Sequence, residues 1–148
     1  DQDDDQGLAE PYIKATAQGS AAQFLAVLYP LDDGMSEPTI APMTVTGAAA
    51  GEITGGASSG SVVVAMRTGS TPLSHEGGYL CDTDGALCLY KLDDQGEPEY
   101  LLLVDGTSAA LFGTSFSISL SSVGTAVLRA TTGGPELIEA TVIPPESG

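Results

Sequence analysis

The sequence predicts an all-β fold, a two-sheet antiparallel β-sandwich of jelly-roll type with about eleven or twelve short strands. Three observations predict it. Glycine is abundant, at 19 of 148 residues, while aromatic residues make up only 5%. Short runs of Val, Thr, Ser, Leu and Ala are repeatedly interrupted by Gly, Pro or Asp. Ser115-Phe-Ser-Ile-Ser-Leu-Ser121 alternates without a break, with Phe116, Ile118 and Leu120 on one face and serines on the other, which is the period of a half-buried strand. No stretch carries a convincing helical period.

The elements follow in order. Residues 1–18 read as an acidic tail, with Asp1, Asp3, Asp4 and Asp5, that ends in an exchangeable strand; residues 19–148 read as the sandwich. Within the first segment, Tyr12 leads into a run that sets Ile13, Ala15 and Ala17 on one face against Lys14, Thr16 and Gln18. Gln23-Phe-Leu-Ala-Val-Leu-Tyr-Pro30 is apolar on both faces, as in a central strand, and Pro30 ends it for want of a ladder donor. After a turn at Leu31-Asp-Asp-Gly34, strands are expected at 40–46, 50–54 and 61–68. The Gly-Ala-Ser-Ser-Gly run of 56–60 separates the last two. Later strands are expected at 99–104, 107–112, 115–121, 125–130 and 136–143, with Asp105-Gly106 marking a hairpin.

Tyr79 to Tyr90 reads as a tight hairpin. Asp84-Gly85 is a preferred pair for a two-residue type I′ turn, and counting outward sets Cys81 opposite Cys88. The two cysteines of the chain would then form a cross-strand disulfide, adding about 2 to 3 kcal/mol in the chain-entropy picture. Such a bridge implies an oxidising, extracellular setting.

Composition narrows the function classes. Twenty acidic residues against four basic ones, Lys14, Arg67, Lys91 and Arg129, give a net charge of −16, which repels nucleic acid. No apolar run is long enough for a membrane-spanning helix. The chain has no Asn and so no N-glycosylation site; any glycan would sit on Ser or Thr, as in the Thr54 to Gly60 stretch. His75, the single histidine, has no zinc-ligand set around it, and neither Ser70 nor Ser74 sits in a nucleophile elbow. Asp32, Asp33, Asp82 and Asp84 are calcium candidates, but the Asp-x-Asp-Gly of residues 82–85 lacks the rest of a calcium loop and reads better as a turn. Carbohydrate hydrolysis would need sugar-stacking aromatics, and the chain has no Trp. No cofactor and no catalytic residue is expected.

The stretches Gln23 to Pro30, Asp84 to Tyr90, Tyr100 to Thr107 and Leu111 to Gly113 together resemble the C-terminal β-sandwich portion of heparinase II/III-like polysaccharide lyases. The likeness spans about residues 10–130. It implies a β-sandwich in a glycan-rich exterior, without the catalytic domain of that family, so no catalytic residue carries over. Two functions are therefore expected. The first is a secreted, non-catalytic structural subunit that polymerises with copies of itself into a fibre, adding the strand Tyr12, Ile13, Ala15 and Ala17 to a neighbour's sheet. The alternative is an accessory, carbohydrate-associated module with glycan partners.

Overall fold

The computed structural model describes residues 36–56 and 59–142. The expected strand segments at 12–18 and 23–30, and with them Tyr12, Ile13, Ala15, Ala17, Asp32 and Asp33, lie outside the described residues. Eight strands form: β1 (Thr39–Val45), β2 (Ala48–Thr54), β3 (Ser61–Arg67), β4 (Cys81–Thr83), β5 (Leu87–Leu92), β6 (Pro98–Leu111), β7 (Ser117–Thr131) and β8 (Gly134–Val142). The all-β class holds. Every pairing is antiparallel, in the order β1-β2-β3-β5-β6-β7-β8, and β4 also pairs with β6.

Among the described residues the strands form one continuous sheet, and two of them are longer than expected. Asp105-Gly106 is not a hairpin, because β6 runs straight through it for 14 residues, and β7 likewise bridges the expected break near residue 122. Turn residues here serve as bulges. The pairing of β6 with β7 shifts on both sides of Gly106, and Asp105 adopts a positive φ of 49°.

The Tyr79–Tyr90 hairpin is also corrected. β4 pairs with the far half of β6, Cys81 opposite Leu111, and β5 with its near half, Cys88 opposite Leu103. β4 and β5 therefore run in one line along the same side of β6, and Asp84-Gly85 is a kink within that line. The reason is local. Oδ1 of Asp84 accepts hydrogen bonds from the backbone N–H groups of Thr107 and Ser108, each 2.8 Å away, so its side chain fills the gap in the ladder instead of capping a turn.

Three glycines make the kink possible. A Cβ on Gly85 would stand 2.5 Å from Leu103 Cδ1, one on Gly106 2.6 Å from Gly85 Cα, and one on Gly124, which pairs with Gly106, 2.3 Å from Thr141 O. Along this line the sheet folds over. Seven extended residues would separate Cys81 from Cys88 by about 23 Å, yet their sulfurs are 3.2 Å apart.

The core lies between the two limbs of the folded sheet. Val63, Ala65, Tyr90, Leu101, Leu103, Ala126 and Leu128 come from the long limb. Leu111 and Ile118 come from the short one, and Leu73, Tyr79 and Phe116 from its loops. Leu73 exchanges two backbone hydrogen bonds with Thr83, which fastens the 69–80 loop to β4.

Candidate functional site

Three places could carry function: a buried thiol and phenol cluster, a histidine–carboxylate pair, and the edges of the sheet.

The cluster sits inside the fold line. Cys81 and Cys88, both fully buried, carry free thiols with Sγ atoms 3.2 Å apart. The expected disulfide is thus replaced by a thiol pair, brought together by the bend and not by hairpin register. The hydrogen bond its thiol shares with Cys81 and burial both push Cys88 well above its ordinary range. It is therefore a poor nucleophile. The rings of Tyr79 and Tyr90 lie 5.9 Å apart beside the thiols. Burial, followed by Cys88 and Cys81, drives the Tyr79 phenol strongly upward, and its hydroxyl is buried without a hydrogen-bond partner. Tyr90 Oη accepts a hydrogen bond from Leu80 N at 3.1 Å, and burial pushes its pKa up to about 12. Groups held neutral in this way pack; they do not exchange protons near neutrality.

His75 and Asp82 meet at the surface. Nδ1 of His75 is 2.9 Å from both carboxylate oxygens of Asp82, its backbone N–H donates to Oδ1, and its ring stacks on Phe112 with centroids 3.8 Å apart. Burial works against ionisation of Asp82, but the backbone N–H and the ring of His75 outweigh it and hold the carboxyl below its ordinary value. No hydroxyl is hydrogen-bonded to His75 among the described residues. The Ser74 hydroxyl turns toward Glu76, and Ser70 offers its carbonyl to Arg67. The pair acts as a strut between the 69–80 loop, β4 and Phe112.

Neither described calcium candidate has a free carboxylate. Asp82 is engaged by His75, and Asp84 by Thr107 and Ser108. No group of three His, Cys, Asp or Glu residues suited to a metal ion occurs among the described residues.

The edges differ. Among the described residues β8 closes the sheet at one side, and every residue in it after Gly134 is exposed, including Leu137, Ile138 and Val142. A nine-residue edge strand with bare aliphatic side chains is what natural sheets usually avoid or cover. Its charges, Glu136 and Glu139, lie in the same strand, and Arg129 of β7 sits opposite Glu136. β1 forms the opposite edge and is also largely exposed, with Ile40 the main apolar side chain. Sequence reading found this strand but not its role. Its signal is Leu137-Ile138 followed by Ala140 and Val142, too many apolar residues for a strand with one wet face.

No family model matches the chain, and no curated protein or solved structure matches it; nothing in these comparisons links it to the polysaccharide lyases.

Proposed function

We propose that the protein is a non-catalytic structural subunit that assembles with copies of itself by β-strand addition, with β8 as the accepting edge. The exposure of β8 from Pro135 to Val142 carries this reading. An incoming strand would satisfy the free N–H and C=O groups of the edge and cover Leu137, Ile138 and Val142. Tyr12, Ile13, Ala15 and Ala17 supply a strand of suitable pattern. Donor and acceptor are different surfaces, so the contact propagates into a filament unless its rotation closes a ring. The reading includes a saline, oxidising exterior.

Sedimentation velocity tests the assembly. The full chain is expected to sediment as large particles. The chain lacking residues 1–18 and the Ile138→Lys variant are expected to sediment as monomers, with unchanged circular dichroism. Particle size that survives both changes removes the proposal.

A further inference from the structure

The face of the sheet turned away from the core holds a cavity. Directly paired residues share a face, so the register lays out its rows. Val64, Leu89, Leu102 and Val127 form one row, in which Val64 and Val127 are buried. The next row along the strands runs Val62, Lys91, Tyr100, Arg129. Here Val62, Leu89, Tyr100, Lys91, Glu99 and Arg129 line a cavity of about 360 Å³. The pairing of β5 with β6 shifts between Lys91 and Leu92, which leaves Glu99 as the extra residue of a bulge and lets its carboxylate pair with Lys91. Three of the four basic residues of the chain are described. Arg67 donates to the carbonyl of Ser70, whereas Lys91 and Arg129 stand on either side of Tyr100 in this one row. Two strand spacings set their backbones about 10 Å apart, within reach of two long side chains. Arg129 and the Tyr100 hydroxyl have no hydrogen-bond or ion-pair partner among the described residues, and Glu136, opposite Arg129 on β8, does not line the cavity.

We infer that this cavity binds a small monocarboxylate with a flat aromatic body. Charge, donor geometry and size support the assignment. Lys91 and Arg129 bring two positive charges and Glu99 one negative, so a single negative charge balances the lining. A polyanion would meet the net charge of −16 on the whole chain and be repelled. With Lys91 held by Glu99, the guanidinium of Arg129 is the open cation. It presents a planar fork that a carboxylate matches with two parallel N–H···O bonds, and the Tyr100 hydroxyl adds a further donor. Val62, Leu89 and the ring of Tyr100 supply apolar wall for the rest of the ligand, and an aromatic body packs on such a wall with large contact area. Small-molecule sites combine these parts, a mostly apolar lining with a few converging polar groups, in volumes from about 300 Å³ upward. The site is separate from strand addition, because it uses a face of the sheet and not its edge.

Equilibrium dialysis of the full chain against naphthoate tests it. Saturable binding of one naphthoate per chain is expected. Naphthylmethanol, which keeps the aromatic body and lacks the charge, is expected to bind at least about tenfold more weakly, and Arg129→Gln to weaken naphthoate by at least about tenfold with unchanged circular dichroism. Arg67→Gln, which removes an equal charge away from the cavity, is expected to leave binding as it is. Absence of saturable binding in the millimolar range overturns the inference. So does equal binding of the alcohol, or binding that survives Arg129→Gln, or an equal loss in Arg67→Gln, which would mark a general effect of charge. The Ile138→Lys variant alters the edge alone and is expected to bind naphthoate like the full chain, so failure of one proposal leaves the other standing.

Discussion

Asp84 shows how a single side chain redirects the fold. Asp-Gly is the commonest signal of a tight hairpin, and that expectation failed because the carboxylate found better partners across the strand, in Thr107 and Ser108. Burial opposes its ionisation, but the Thr107 hydroxyl and the N–H groups of Ser108 and Thr107 prevail and hold its pKa below the ordinary value. The sign of the pH dependence follows. A depressed carboxyl adds stability above its unfolded pKa of about 3.9, and that stability is lost as the pH falls through the folded value. Raised phenols act in reverse. Tyr79 and Tyr90 add stability below about pH 10, the ordinary tyrosine value, and lose it as the pH climbs toward their folded values. Chemical denaturation across the pH range is therefore expected to show a plateau falling away at both ends. Asp84→Asn should flatten the acid limb, and Asp84→Ala should lower the plateau by about 1–3 kcal/mol through the unmet N–H groups of Thr107 and Ser108. An acid limb of unchanged slope in Asp84→Asn would count against this assignment.

At the scale of elements, patterning succeeded where a strand borders water on one side and failed where the chain bends. β1, β2, β3 and β8 were legible because alternation or sustained apolar runs mark them. The turn at Leu92–Pro98 is built locally: Asp93 Oδ1 accepts the N–H groups of Gln95 and Glu97, and Gly96 has a φ of 82°. The long strands β6 and β7 were each read as two, since a glycine inside a strand looks from sequence alone like the end of one. What distinguishes them is a tertiary fact, the close approach of three backbones. Gly106→Ala is expected to cost about 1–3 kcal/mol, because the backbone of Gly85 cannot retreat without moving β5. The Gly96→Ala change has nothing within 4 Å to collide with and suffers only from its φ. Thermal melts of the two variants should separate steric from conformational cost, the first showing the larger fall.

The whole molecule is governed by its charge. At −16, copies of the chain repel one another, and the proposed filament would concentrate that repulsion along its axis. Added salt shortens the range of the repulsion from about 30 Å at 0.01 M to about 8 Å at 0.15 M. Light scattering of the full chain should therefore rise with sodium chloride, and assembly that strengthens as salt is removed would contradict strand addition between like-charged copies. The candidate site was only half visible in the sequence. The pattern of the proposed donor at Ile13, Ala15 and Ala17 is periodic and can be read directly, whereas the proposed accepting edge depends on which strand lies last in the sheet among the described residues, a property of topology with no local signature. The fold line carries a different kind of information. Gly85, Gly106 and Gly124 lie far apart in the chain, but each is held to a hydrogen atom by its neighbours. Together with Asp84 they form a fingerprint, and a distant chain folded in the same way would have to repeat it even after every core residue had been exchanged.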